Sequence, residues 1–473
     1  MNTRREFLWN SVLLAVAGGV PGALGAAMKY DRDGVLQLFR LMAEEINARV
    51  EAGIELNRKG PMLFTFRDAA GKVLENVHVK VTQKTHDFKY GADIFMLDEI
   101  VDSKVKNEAY KELFAKAFNL ATCPFYWKDQ EPEEGRTRYA KDSPRIYRRP
   151  PTDLCVEWCE RNGVEPKAHC LNYPVMAPDW AKGDVGREKY LLEKRFKELS
   201  ERYAKRIPMW EVTNETYAGP NYRDGLNFYQ QPDIIEWSFR TAERYFASNH
   251  LVINEARSRV WDDRSFYRDR SPYYMQIERE LMKGVRIDAV GMQYHLFHGT
   301  DMKNVHKEYK TSHDPMRIFD VLDTYARLGK PLQITEITIP AYSEDPGDEE
   351  TQAEVLRTLY RIWFSHRAME AIIYWNLPDG YAVGAKPGDF SGGENVYYGG
   401  LCRFDMTPKP AYRVVQDLFG REWRTNFERD VGGKFSFRGF HGTYELEATA
   451  NGRTVKQEFR LNPDFANRVE IKI

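Results

Sequence analysis

No excess of one charge sign exists in this chain of 473 residues, where 69 Lys and Arg stand against 70 Asp and Glu. Binders of nucleic acid or of anionic membrane surfaces carry a basic surplus, so neither partner is expected. Cysteine is scarce: there are five, and an odd number cannot pair completely within one chain. Cys155 and Cys159 lie one helical turn apart with no C-x-x-C or H-x-x-x-H companion, so buried thiols are expected rather than a disulfide or a zinc site. Past the N-terminal stretch no apolar run reaches the roughly 20 residues a membrane-spanning helix needs. G-x-G-x-x-G, G-x-x-x-x-G-K-[ST], H-E-x-x-H and G-x-S-x-G are also missing. Phosphate-binding, zincin and serine-hydrolase chemistry thereby lose their usual sequence support, and no cofactor or metal is implied.

Aromatic residues, by contrast, are plentiful: 27 Tyr, 26 Phe and 10 Trp. They suit a core, and flat rings also stack on the apolar faces of sugars. At the N-terminus, Thr3-Arg4-Arg5-Glu6-Phe7-Leu8 precedes an apolar stretch over 12–20 and small residues over 23–27. This order resembles a twin-arginine export signal, which implies a bacterial chain delivered folded to the periplasm or beyond.

The remainder divides into three parts. Residues 28–86 read as an amphipathic helix (Leu36, Phe39, Leu41, Met42, Ile46, Val50) followed by two strands around 61–83. Residues 425–473 hold short alternating runs through Phe435, Phe437, Tyr444, Leu446, Val455, Phe459, Val469 and Ile471. Neither flank has enough strands for its own sheet, so the two are expected to join as a small accessory β-sandwich, with Tyr444 and Phe440 read as core rather than sugar-binding rings. Between them, over 87–424, short β-rich runs alternate with helical stretches: 88–95, 118–123, 166–172, 207–214, 251–255, 288–295, 332–337 and 371–377. Eight such runs predict an α/β fold, a parallel (β/α)8 TIM barrel. The charge-rich stretch 187–206 reads as a solvated helix face.

Active sites of that fold lie at the C-terminal ends of the strands. The polar residues closing the runs are Asp93, Thr122, His169 with Asn172, Asn214 with Glu215, Asn254 with Glu255, Gln293 with His295, Glu336, and Trp375 with Asn376. Carboxylates, amides, histidines and a tryptophan on one rim suit sugar cleavage better than metal binding. Glu215 can protonate a departing glycosidic oxygen while Asn214 holds the neighbouring sugar hydroxyl. Adjacent residues of a regular strand face opposite ways, so both serve one site only if the pleat breaks there. Glu336, after a mostly apolar run, is costly to bury without partners or a function, such as attack on an anomeric carbon.

These residues resemble those of glycoside hydrolase family 10, the retaining β-1,4-xylanases of clan A, over about 88–419. Phe118-Asn119 with Thr122 and then Glu131-Pro132-x-x-Gly135 is similar to that family's second-strand region. Ala168-His169-Cys170-Leu171 with Pro178-Asp179-Trp180 resembles its G-H-T-L and P-x-W stretch, and Trp210 to Glu215 its W-D-V-V-N-E. Ile253-Asn254-Glu255 stands at I-N-D, Gly291 to Leu296 at G-x-Q-x-H-L, and Ile334-Thr335-Glu336 at I-T-E. Tyr374-Trp375 with Asp379 resembles W-G-x-x-D, and the series closes on Pro408-Lys409-Pro410-Ala411-Tyr412. The resemblance implies Glu215 as acid/base and Glu336 as nucleophile. It places His295 on the nucleophile, His169, Asn214 and Gln293 around the sugar, and Trp375 beneath it.

Departures concern the substrate. The family's E-N-x-M-K-W is here Thr122-Cys123-Pro124-Phe125-Tyr126-Trp127, leaving Lys128 to replace one contact. Tyr173-Pro174 replaces W-H, so Tyr173 and Lys128 join the candidate substrate-binding residues. A second platform tryptophan is lost near Val383, and an Arg- and Pro-rich insertion over 139–151 lies either on the rim or opposite it. The expectation is a monomeric hydrolase of β-1,4-xylan or a decorated hemicellulose. The alternatives are a same-clan β-glycosidase on another β-glycan or glycoside, and a catalytically silent carbohydrate-binding barrel.

Overall fold

The computed structural model describes residues 29–217, 225–263, 267–463 and 467–473. The export signal read over 1–27 lies outside them.

Seven strands come from the two flanks. β1 (Lys59–Arg67) and β2 (Val77–Gln83) precede the barrel, and β11 (Asn426–Val431), β12 (Lys434–Phe440), β13 (Gly442–Ala450), β14 (Arg453–Leu461) and β15 (Arg468–Lys472) follow it. They form two sheets, ordered β12-β1-β15 and β11-β2-β13-β14, so each sheet takes one strand from the N-terminal flank. Alternation decides which side chains meet: Met62, Phe64 and Phe66 of β1 face Val77, Val79 and Val81 of β2 across a core shared with Tyr444, Leu446 and Phe459. Tyr444 and Phe440 are both buried, as core residues should be.

The eight central runs are strands β3 (Lys89–Asp93), β4 (Leu120–Pro124), β5 (Glu165–His169), β6 (Met209–Asn214), β7 (His250–Glu255), β8 (Ala289–His295), β9 (Leu332–Thr338) and β10 (Met369–Tyr374). They close in that order into a parallel barrel, β10 pairing with β3. Leu120, Met209, Val252, Ala289, Ala371 and Ile373, from five of the strands, form a separate apolar cluster that only a barrel interior can bring together.

Two readings change. The N-terminal helix is broken at Met42 into Arg32–Leu41 and Ala43–Asn57. Both pieces join the barrel's apolar core through Val35, Leu36, Phe39, Ile46, Val50 and Ile54, not the β-sandwich with which the sequence grouped them. The helix Val185–Tyr203 is not simply a solvated face either. It buries Glu188 and Arg195, and Arg195 donates to the carbonyls of Leu171 and Phe125 beneath the rim. All five cysteines are buried and free.

Candidate active site

The carboxyl ends of β5 to β10 converge on two glutamates. β6 carries an irregularity between Glu211 and Thr213 and ends at Asn214. Glu215 then takes a left-handed backbone, with φ at 50°, while its N–H donates to the Asn254 carbonyl. This is the break in the pleat that the sequence requires if Asn214 and Glu215 are to face one site. A non-glycine residue held in that region costs energy and persists only where its surroundings over-determine it.

Gln293 joins the two carboxyl groups. Its Nε2 lies 2.9 Å from Glu215 Oε1, 3.0 Å from Glu336 Oε1 and 3.3 Å from Asn214 Oδ1. All three are acceptors, which sets the orientation of the amide. Asn254 Nδ2 donates to Glu336 Oε1 and to Asn214 Oδ1, each at 2.9 Å, and its own oxygen accepts from Thr335 at 2.6 Å. Asn254 fits there because residue 291 is glycine: a Cβ on Gly291 would lie 2.6 Å from Asn254 Oδ1. His295 Nε2 meets Glu336 Oε2 at 3.1 Å, and its Nδ1 meets the Thr338 hydroxyl at 2.9 Å. Glu336 thus receives N–H donors on both oxygens. Glu215 has Gln293 on one oxygen and the Tyr173 hydroxyl, at 2.7 Å, on the other. Burial raises the pKa of Glu215, and the negative charge of Glu336 raises it further. Donors from Gln293 and Tyr173 pull the other way.

Below the rim, Lys167 Nζ and His169 Nδ1 both sit on Glu211, and all three side chains are fully buried. Burial alone would push the Glu211 carboxyl up, but the two cations hold it at about 2. Burial would likewise discharge His169, and Glu211 overrides it, so the His169 pKa is raised. His169, Glu211 and Glu336 bring ligand atoms within 4.8 Å of one another. Lys167 already balances Glu211, which disfavours a cation there. Trp375 is ringed edge-on by Phe95, His295 and His169, with centroids at 5.3, 5.6 and 5.9 Å.

Of the residues singled out from sequence, Glu215, Glu336, Asn214, Gln293 and His295 form one hydrogen-bonded network. His169 reaches it through Glu211 and through Trp375. Tyr173 sits on Glu215. Lys128 is exposed on the short helix Trp127–Gln130 and makes none of these bonds. The 139–151 insertion lies on the rim: buried Arg148 donates to Asn376 Oδ1 at 2.8 Å and to the Tyr381 carbonyl, and approaches Asp93 at 3.6 Å. Arg149 pairs with Asp129 and lies 4.3 Å over the Tyr126 ring. Sequence reasoning missed Lys167, Glu211 and Arg148. Two charged residues inside apolar strands were a readable sign of the first two, whereas nothing in the loop's composition told which side Arg148 would take. Asp379 and Lys409, from the two closing motifs, form a buried ion pair at 2.5 Å behind β10.

Comparison with known proteins agrees with this architecture. Anti-sigma-I factor RsgI6 of Acetivibrio thermocellus is 24% identical over 423 residues, 86% of this chain and 47% of its own length. Endo-1,4-beta-xylanase 2 of Arabidopsis thaliana is 24% identical over 88% of this chain and 35% of its own length. The chain therefore spans about half or less of those two relatives. Endo-1,4-beta-xylanase B of Thermotoga neapolitana is 26% identical over 324 residues, 66% of this chain and 83% of its own. Among solved structures, native xylanase 10B of Thermotoga maritima shares the fold, with a TM-score of 0.54 at 23% identity over 71% of this chain and 96% of that one. The family model described as Glycosyl hydrolase family 10 matches residues 89–418, the whole barrel, and the chain belongs to that family.

Proposed function

We propose that this protein is a retaining hydrolase of β-1,4-linked xylan or a related decorated hemicellulose, with Glu336 as nucleophile and Glu215 as acid/base. One observation carries the reading: a single amide nitrogen, Gln293 Nε2, bonds both carboxyl groups. Contacts of 2.9 and 3.0 Å to one nitrogen hold the two bonded oxygens close together, which supports the short separation of retaining enzymes, about 5–5.5 Å. An inverting pair stands about 6.5–9.5 Å apart to admit a water. In the first step Glu336 attacks the anomeric carbon, the glycosidic bond breaks, and Glu215 gives its proton to the leaving oxygen. In the second, Glu215 takes a proton from water as the water oxygen replaces Glu336 at that carbon. Loss of the Glu336 charge on esterification removes one of the influences that raise the Glu215 pKa, suiting it to act as base.

The relatives named as xylanases support xylan. The β4 end supports a decorated or different β-glycan, because Tyr126, Phe95 and Trp375 with Tyr173 and Met176 form an apolar cluster where the family resemblance places polar contacts. Export to the periplasm or beyond is proposed from the paired arginines and apolar stretch at the N-terminus, and a monomer is expected.

The test is hydrolysis of xylan, arabinoxylan, glucuronoxylan, mixed-linkage glucan and an aryl β-xylobioside by the full chain, Glu215→Ala and Glu336→Ala. Cleavage of a xylan with β-configured ends appearing first in the NMR spectrum is expected. Glu336→Ala should abolish it, and Glu215→Ala should slow the xylan about 10²–10⁴-fold, the usual worth of a general acid. First-formed α ends would overturn the retaining mechanism, and sugar binding without cleavage would favour the silent barrel.

A further inference from the structure

We propose that Tyr173 is a positioning residue of the acid/base: its hydroxyl holds the Glu215 proton on Oε2 before the first step and donates to the same oxygen once the proton has left. The inference rests on the retaining reading above and goes beyond it, since Tyr173 was singled out from sequence only as a sugar contact.

The two oxygens of Glu215 have different neighbours. Oε1 faces Gln293 Nε2, which can donate and cannot accept. A protonated carboxyl with its hydrogen on Oε1 would set two donors against each other, so the proton belongs on Oε2. Oε2 faces Tyr173 Oη at 2.7 Å, a hydroxyl able to do both. While Glu215 is an acid, its Oε2–H donates to Tyr173. When the proton passes to the glycosidic oxygen, the tyrosine O–H turns and donates to the new carboxylate. When water gives up its proton in the second step, Oε2 receives it and the hydroxyl turns back. Burial and two neighbouring carboxylates keep the phenol itself from ionising, so it never competes for the proton.

The tyrosine is set in place by its own segment. It stands in extended backbone just past β5, before the turn Pro174–Met176, with its ring 6.1 Å from that of Tyr126. The other titratable groups facing Glu215 are Glu336 from β9, His295 from β8, Glu255 from β7 and Cys170 beyond β5. Among these neighbours Tyr173 contributes the direct hydrogen bond to Oε2.

Tyr173→Phe removes the hydroxyl and keeps the ring. The carboxylate form then loses a charge-assisted bond and the acid form only a weaker neutral one, so the Glu215 pKa should rise by the difference, somewhat under about one unit. The first readout is a carboxyl 13C NMR titration of the full chain without substrate, with the Glu215 signal assigned by its absence in Glu215→Gln. The second is the alkaline limb of kcat/KM against pH, which reports the acid of the free enzyme. Equal upward shifts in both support the assignment. A titration that does not move, or a raised KM with an unmoved limb, overturns it and returns Tyr173 to a sugar contact. Because the titration needs no substrate, inactivity on xylan would count against the proposed substrate and leave this assignment to be judged by the NMR shift.

Discussion

Lys167 shows how much one side chain depends on its neighbours. An ammonium group on the fully buried end of a parallel strand has several kcal/mol of desolvation against it, returned only by well-placed partners. β5 puts Lys167 and His169 two residues apart on one face, and β6 brings Glu211 between them. The residue types were legible, since a lysine in a core strand must be paired; the partner depended on the register of β5 and β6, Lys167 beside Met209 and Ala168 beside Trp210. Replacing Lys167 by Met should leave Glu211 with His169 as its remaining charged partner and cost about 3–5 kcal/mol of stability, read by urea denaturation. Methionine tolerated within about 1 kcal/mol would show that the Lys167–Glu211 pair does not hold the fold.

At the scale of elements, the eight barrel strands were readable because each is a short apolar run closed by a polar residue. Their ends differ from the sequence reading by a few residues, as in β10, which stops at Tyr374 and leaves Trp375 free to turn over the site. The flanks were legible as strands, but which helices and strands belong together was not. β1 pairs antiparallel with β12 and parallel with β15, and β2 lies between β11 and β13. A chain ending at residue 424 therefore strips β1 and β2 of every one of these ladder partners. Two open apolar edges of that kind invite intermolecular pairing, so the truncated chain should aggregate on expression, checked by size exclusion. A soluble, monodisperse barrel would show that the helices Arg32–Leu41 and Ala43–Asn57 suffice to cap it.

For the whole molecule the buried carboxyls predict the stability profile. Glu211 has its pKa lowered to about 2 from the unfolded value of about 4.3. Its contribution is complete above about pH 4 and is lost as pH falls toward 2. Asp93 and Glu255 are raised, chiefly by burial, to about 7 and about 8. The folded state binds more protons at these two than the unfolded state does. Their contribution is complete below about pH 4 and is lost as pH rises through 7 and 8. Together the three place maximal stability at about pH 4, with a decline on either side, measurable as the urea midpoint against pH. Glu255→Gln should flatten the alkaline side; an unchanged slope there would remove Glu255 from this account.

What the sequence determined by itself was the barrel, through the spacing of its apolar runs, and the candidacy of Glu215 and Glu336, through the polar residues that close those runs. Periodicity is local, and strand ends are where this fold keeps its chemistry, so both could be read along the chain. Tertiary structure decided what depends on residues far apart. It set the left-handed turn at Glu215 and the approach of Asn254 that Gly291 permits. It sent the Arg148 loop to the rim and the Tyr173 hydroxyl to Glu215 rather than to open cleft. A backbone held in a costly conformation, or a proton assigned to one of two oxygens, is determined by partners on other strands, and composition and spacing along one strand carry no record of them.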